Sequence, residues 1–174
     1  MITPESKDWT WVLTRPCPDC RFEAAALDLP DVPDRLRGVA AAMAARLAEP
    51  DAAARPADDV WSPLEYGCHV RDVFLIFFGR LERMLAEDDP LFANWDQNRT
   101  AVEDGYDQQD PAVVAAELLA AVAPLAARFA ELTDAQWQRP GRRSDGAVFT
   151  VTTFARYLVH DPVHHLWDVT HPVP

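Results

Sequence analysis

Four segments of the chain repeat apolar residues at intervals of three and four, which is the pattern of amphipathic helices. The first runs from Val32 to Leu47, the second follows Ser62, the third follows Asp110 and the fourth begins near Thr150. Four helices of this length bury their apolar stripes most simply against one another. The predicted fold class is therefore all-α, and the predicted architecture is a four-helix bundle.

The start of the second helix has the most complete capping pattern. Ser62 is a suitable N-cap, Pro63 occupies the first helical position and Glu65 completes a capping box. Trp61 can pack on Tyr66 as a hydrophobic staple. The other predicted N-caps are Asp31 and Asp110.

A long connection, from about Asp88 to Asp110, separates the second and third helices. It exceeds the length of a tight hairpin and predicts a crossover between these helices. Trp95, Asp96 and Arg99 place an aromatic ring beside hydrogen-bonding groups in this connection. Such a composition is typical of a loop that closes over a small polar ligand, and equally of an ordinary solvated loop.

The charge of the chain limits its partners. The formal net charge is -12, which repels the phosphates of nucleic acids and anionic lipids. No uninterrupted apolar run reaches the roughly 20 residues of a membrane span, and Glu5 and Asp8 ahead of Trp9 do not fit a signal peptide. We expect a cytoplasmic protein with a small-molecule substrate and neither nucleic acid nor membrane as partner; a homodimer is left open.

Residues 1–30 precede the helical pattern and predict an irregular N-terminal extension, so that the bundle covers 31–174. The extension contains Cys17 and Cys20, and with Cys68 the cysteines number 3, an odd count that argues against a disulfide scaffold. The spacing of Cys17 and Cys20 is that of half a zinc knuckle, but no second ligand pair lies nearby in the sequence. A plain turn, a reversible disulfide and a second metal site remain the alternatives.

The candidate chemistry lies in the histidines. His160 and His164 are four residues apart, so they share one face of the fourth helix, and His69 lies on the inward side of the second. A bundle can bring those faces together around a metal ion. His165 is about 140° round the helix from His160, which favours a supporting or surface position. Pro162, between the pair, indicates either a specially shaped site or the end of the helix.

These features together resemble the DinB/YfiT-like metalloenzyme family. The resemblance covers about residues 31 to 170 and rests on the Trp-Ser-Pro-x-Glu start at 61–65, on inward His69 and on the pair His160 and His164. It implies a four-helix bundle with a long crossover and a divalent metal, zinc or nickel, bound by His69, His160 and His164. Relatives include enzymes that use mycothiol or bacillithiol, so it also implies a low-molecular-weight thiol as cosubstrate.

The leading hypothesis is a metal-dependent enzyme, a small-thiol-dependent S-transferase or isomerase or else a hydrolase, acting on a small molecule. Three neutral imidazoles leave a divalent ion an open position, and Asp72 and Asp168 are placed to orient the rings. A zinc peptidase is an alternative, because His160-Asp161-x-x-His164 mimics His-Glu-x-x-His. A non-catalytic metal-binding or interaction bundle is another, whereas a di-iron bundle would need paired Glu-x-x-His motifs that the chain lacks.

Overall fold

Six helices and three short strands make up the computed structural model of the chain, which describes residues 9–171. Glu5 and Asp8, on which the expectation about a signal peptide rests, lie outside the described residues. The helices are α1 (Val32–Leu47), α2 (Pro63–Ala86), α3 (Gln97–Glu103), α4 (Pro111–Ala130), α5 (Asp134–Trp137) and α6 (Val151–Thr170). The strands are β1 (Leu91–Phe92), β2 (Pro140–Arg143) and β3 (Val148–Thr150).

The four long helices, α1, α2, α4 and α6, form the bundle that the periodicity predicts. Helices α1 and α2 each pack against both α4 and α6, and the contact between α1 and α2 is smaller. Their apolar stripes meet in one core, where Leu36, Phe74, Leu118 and Leu158 are fully buried. Burial of these stripes is the main source of bundle stability. The four-helix bundle is confirmed.

The predicted start of α2 is confirmed in detail. The backbone N–H of Glu65 donates to Ser62 Oγ at 3.2 Å, and the N–H of Ser62 donates to Glu65 Oε2 at 2.8 Å. Arg55 forms an ion pair with the buried Glu65 carboxylate. The rings of Trp61 and Tyr66 pack edge to face at 5.4 Å. This start holds the first turns of α2, and with them His69, in a defined position.

Capping at the other helices follows the sequence only in part. Asp110 Oδ1 accepts hydrogen bonds from the first turn of α4, and Thr150 forms a capping box at the start of α6. Asp31 occupies the N-cap position of α1 as predicted, but its side chain does not cap the helix. Its backbone is helical and its side chain makes no capping hydrogen bond, because a 3-10 turn, Leu29–Asp31, leads directly into the helix.

Both interior prolines are accommodated within continuous helices. Helix α4 passes through Pro124, and α6 passes through Pro162 to end at Thr170. The alternative that α6 ends at Pro162 is therefore wrong. An interior proline costs on the order of 3 kcal/mol, which the packing of α6 offsets. All residues from His160 to Asp168 consequently lie on one helix.

A small sheet joins the crossover to the start of α6, and the sequence did not predict it. Strands β2 and β3 form an antiparallel hairpin, and β1, from the crossover, pairs with β2 in parallel. Gly146 in the hairpin turn has a φ of 99°, which favours glycine. Strands of two to four residues are too short to show an alternating pattern. Because β3 continues directly into α6, the sheet anchors the N-terminus of that helix.

Helix α4 is, among the described residues, the one helix that is long and apolar enough to cross a membrane by length and composition alone. Core helices of soluble proteins meet the same criterion. In this structure α4 packs against α1 and α2, and Val114, Leu118 and Leu125 are buried there. It is one of the four packed helices of the bundle.

The segment before α1 has little regular structure. Its 3-10 turns Trp9–Leu13 and Ala24–Ala26 both pack against α6. Cys17 lies between them and is fully buried, and Cys20 is half-buried. The predicted irregular extension is thus folded onto α6, on the side that carries His160 and His164.

Candidate metal centres

Helix α6 presents two pairs of potential ligands side by side. His160 and His164 form one pair, and Asp161 and His165 form the next, offset by one residue and therefore by about 100° around the helix. Among the described residues, donor atoms within 4.8 Å of one another form two groups. We call His69, Asp161 and His165 the α2–α6 group; the cysteine–histidine group consists of Cys17, Cys20, His160 and His164.

The α2–α6 group is compact, with His69 buried and Asp161 and His165 partly buried. His69 Nε2 lies 3.3 Å from Asp161 Oδ1, and His165 Nε2 lies 3.9 Å from the same oxygen. His69 is fully buried, and neither of its ring nitrogens has a hydrogen-bond partner; the same holds for Asp161 Oδ1. Buried polar atoms are nearly always satisfied in folded proteins. These donors therefore fit a bound cation, which would satisfy them together.

Neighbouring side chains hold the two rings of this group. Trp95 stacks flat on His69, with the ring centroids 5.2 Å apart and an angle of 4° between the planes. His165 Nδ1 lies 2.9 Å from Asp168 Oδ2, and because a carboxylate only accepts, Nδ1 carries the proton. Nε2 of His165 is then the nitrogen with a lone pair, and it faces Asp161.

The charge state of Asp161 suits a ligand. Burial by itself would raise the pKa of its carboxyl, but the neighbouring histidines, His69 foremost, together outweigh burial and lower the pKa to about 2. Asp161 is therefore an anion at neutral pH. Two imidazoles and one carboxylate form a donor set used by catalytic zinc and by non-haem iron.

The cysteine–histidine group lies on the adjoining face of α6. Cys17 Sγ is 3.5 Å from His164 Nδ1, and the His160 and His164 rings are 5.2 Å apart. His160 is 3% exposed and its Nε2 has no hydrogen-bond partner. Burial lowers the pKa of His160 to about 4, so this ring is neutral, and burial raises the pKa of the Cys20 thiol to about 12.

A cavity of about 280 Å³ opens beside both groups. Its wall combines acidic, histidine and aromatic side chains: Trp9, Asp19, Tyr66, Gln97, Tyr157, His160, Asp161, His164, His165 and Asp168. The cavity gives the α2–α6 group access to a small molecule through Asp161 and His165. Trp9 and Asp19 come from the N-terminal extension, so the extension completes the wall.

The three predicted histidine ligands fall in different groups. His160 and His164 lie with the two cysteines, whereas His69 lies with Asp161 and His165. His165, predicted to have a supporting or surface position, belongs to the same donor group as His69. A single ion bound by His69, His160 and His164 stays a prediction, and the geometry offers the two groups beside it.

The predicted supporting residues also have distinct environments. Trp95 contacts His69. Asp168 lies within hydrogen-bond distance of His165, whereas its carboxylate is 3.8 Å from His164 Nε2. Asp72 accepts from Tyr106 and Arg71 and makes no hydrogen bond to His69.

The remaining two crossover residues have structural contacts. Asp96 caps α3 through the backbone N–H of Arg99 at 3.0 Å. The Arg99 side chain is exposed and pairs with Glu103. Neither lines the cavity described above. Sequence reasoning missed Asp161 as a potential ligand and Gln97 and Tyr157 as wall residues. The one sequence feature that could have indicated Asp161 is its four-residue spacing from His165.

The fold and these donor groups define a class of protein: a four-helix bundle with metal-type ligands converging between two of its helices and a cavity beside them. The sequence profile of the DinB superfamily matches residues 28–169, and the chain belongs to that superfamily. No curated protein sequence matches the chain.

The structure is similar to that of YfiT from Bacillus subtilis, described as a probable metal-dependent hydrolase with an unusual four-helix bundle topology. The TM-score is 0.66 and the sequence identity 21%, over 82% of this chain and 79% of YfiT. At this identity the similarity establishes the shared fold.

Proposed function

We propose that the protein is a metal-dependent hydrolase in which His69, Asp161 and His165 hold a divalent ion, zinc or nickel, beside the cavity. The observation that carries the proposal is the set of buried donor atoms on His69 and Asp161 that have no hydrogen-bond partner. Two further facts support it: the chain belongs to the DinB superfamily, and its fold is that of YfiT.

Three protein ligands favour catalysis over a purely structural role. A structural zinc site is normally closed by four protein ligands, whereas a catalytic one keeps a position open. When bound, a divalent ion lowers the pKa of a coordinated water or thiol toward neutrality. Asp161 and His165 line the cavity, which is where substrate would reach such a position. The cavity therefore argues against the non-catalytic alternative.

The chain's own residues have defined roles in this proposal. Asp168 fixes the tautomer and orientation of His165, and Trp95 covers His69 and keeps water away from it. The cavity wall carries Asp19, Asp161 and Asp168, and it contains no lysine or arginine within the described part of the chain. A neutral or cationic substrate suits this wall, and an anionic one does not.

The size of the cavity favours water over a small thiol as the nucleophile. A volume of about 280 Å³ is near the lower end of the range of about 300–1,000 Å³ that is usual for ligand sites. It accommodates one small substrate and a water more readily than a substrate and a bulky thiol. A thiol-dependent S-transferase or isomerase is the second candidate, since the same open position can accept a thiolate.

The test uses full-length protein without a histidine tag, stripped of metal and reloaded with zinc or nickel. We expect about one ion at the α2–α6 group and hydrolysis of a neutral ester probe such as p-nitrophenyl acetate. His69→Ala and Asp161→Asn should lose both. Asp19→Asn, which changes a wall residue outside this group, should keep the ion.

One result would favour the second candidate over hydrolysis, and another would refute the proposed metal site. If turnover of an electrophilic probe requires N-acetylcysteine methyl ester, a neutral small thiol, the second candidate replaces hydrolysis. If His69→Ala and Asp161→Asn both keep the metal content and the activity of the parent, the proposal is wrong.

A further inference from the structure

Cys17 and Cys20 are not explained by the proposed function, yet they lie against two of the histidines of α6. We infer that Cys17, Cys20, His160 and His164 form a second metal site, a closed Cys2His2 zinc site that fastens the N-terminal extension to the bundle. The inference is independent of the α2–α6 group, because the two groups share no ligand.

The spacing of the four residues matches that of known zinc ligands. Two cysteines separated by two residues and two histidines separated by three are the usual halves of a Cys2His2 site. The halves are far apart in the sequence, and the fold brings them together. The four donor atoms lie within 4.8 Å of one another.

One interatomic distance matches tetrahedral zinc closely. Bond lengths of about 2.3 Å to sulfur and 2.0–2.1 Å to nitrogen place the two ligand atoms about 3.6 Å apart in a tetrahedron. Cys17 Sγ and His164 Nδ1 are 3.5 Å apart. A thiol–imidazole hydrogen bond would also explain this distance. It would not explain why Cys20 and His160, whose buried Nε2 has no hydrogen-bond partner, also place a donor atom within 4.8 Å of this pair.

The backbone around the cysteines is shaped to present both sulfurs. The N–H of Cys17 donates to the carbonyl of Phe22 at 2.9 Å, and the N–H of Arg21 donates to the carbonyl of Cys17 at 3.1 Å. Arg21 has a φ of 61°, a left-handed conformation that is uncommon for a residue with a side chain. This tight turn brings Cys20 back beside Cys17.

Aromatic rings cover part of the site. Trp9 packs on His160 and His164 at centroid distances of 5.5 and 5.0 Å, and Phe22 packs on His160 at 5.7 Å. Four protein donors in a largely buried position leave no open coordination, which is the arrangement of structural zinc. The site would join the irregular segment before α1 to α6, next to Asp161 and His165.

The test is cobalt substitution of the reduced full-length protein, since thiolate-bound cobalt gives a charge-transfer band in the near ultraviolet and intense tetrahedral bands in the visible. We expect these bands in the parent protein and their loss in Cys17→Ser, Cys20→Ser and His164→Ala. Zinc content should fall by about one equivalent in the same variants. In the zinc form, X-ray absorption should show both sulfur and nitrogen ligands.

Three control variants separate this site from others. Cys68→Ser changes the third cysteine, which lies beside Tyr106 and Gln109, and should keep the bands. His69→Ala should also keep them, even though it abolishes the metal of the proposed hydrolase. His164→Cys replaces one ligand by another, and it should retain the ion with a stronger thiolate band, which separates ligation from general unfolding.

Any of three results would overturn the inference. The first is the absence of thiolate bands in reduced, cobalt-loaded parent protein. The second is their persistence when Cys17 and Cys20 are both replaced by serine. The third is a Cys17–Cys20 disulfide that persists when the protein is treated with a reductant and supplied with zinc, since a disulfide cannot supply thiolate ligands.

Discussion

His69 on α2 and Asp161 on α6 meet across the bundle, with His69 Nε2 3.3 Å from Asp161 Oδ1. Neither atom has a hydrogen-bond partner, although His165 Nε2 lies 3.9 Å from the same Asp161 oxygen, and the contact joins the two helices at the cavity. This approach of a buried imidazole and a carboxylate is the geometric centre of the proposed active site, and the first two predictions test it.

Asp161→Asn should weaken metal binding at the α2–α6 group by about 100-fold or more, since changing even a supporting partner of a ligand costs about 10–100-fold. The amide removes the negative charge that offsets the cation and is a poorer ligand. Competition with a chelator of known affinity measures the effect. Unchanged affinity in this variant would remove Asp161 from the site.

Asp168→Ala should reduce metal affinity or activity by about 10–100-fold, because it removes the carboxylate that orients His165. Asp72→Asn is the matched control. Asp72 was the sequence-based candidate for orienting His69, but it bonds to Tyr106 and Arg71, so we expect no change in metal affinity. Equal effects of the two substitutions would contradict the assigned role of Asp168.

Glu65→Gln should lower the free energy of unfolding by about 1–3 kcal/mol at neutral pH, because a buried charge-assisted network with Arg55 and Ser62 is lost. Burial would raise the pKa of Glu65, but Arg55 and the Ser62 amide lower it below its usual range. The contribution of Glu65 to the free energy of unfolding is therefore fully present above the pKa of about 4.3 that it has in the unfolded chain. It is lost as the pH falls through the lower pKa that Glu65 has in the folded protein.

Urea unfolding at several pH values measures this effect. The difference between parent and Glu65→Gln should be largest above about pH 5 and should shrink below about pH 4. Glu103→Gln alters an exposed pair with Arg99 and should change stability by less than about 1 kcal/mol. If the stability difference between the parent and Glu65→Gln instead grows as the pH falls, the pKa of Glu65 is not lowered by folding.

Gly141→Ala should destabilise the protein by about 1–3 kcal/mol through overpacking. A Cβ at Gly141 would lie 2.8 Å from both Met84 Cγ and the Phe92 ring, so the sheet and α2 would have to move apart. Gly79→Ala, on α2 with no atom within 4 Å of the new Cβ, should instead stabilise by about 0.5–1 kcal/mol. Thermal unfolding of the two variants should show shifts of opposite sign.

Much of the fold could be predicted from local patterns. The stripe from Val32 to Leu47 and the capping box at Ser62 are properties of short segments, and the structure confirms both. The small sheet could not be predicted, because β1 is two residues long and pairs with β2, which lies about 50 residues further along the chain. The failed cap at Asp31 has a similar cause: the preceding 3-10 turn sets the backbone of that residue.

The candidate site likewise has features that short segments of sequence predict and features that depend on how the helices pack. Sequence reasoning identified His69, His160 and His164 as chemically significant, and each lies in a potential metal-binding group. The resemblance to the DinB/YfiT-like family combined them in one site, which stays a prediction. Helical spacing specifies which residues of one helix share a face, but not which face meets which partner. The rotation of α6 directs Asp161 and His165 toward α2.

The sequence by itself determined the four helices, the inward position of His69 and the shared helix face of His160 and His164, because helical periodicity and capping act over a few residues. Only the tertiary structure decided that His69 meets Asp161 and that Cys17 and Cys20 meet His160 and His164. The physical reason is that these contacts join residues up to 147 positions apart, and burial of the whole core sets the packing and rotation of the helices that bring them together.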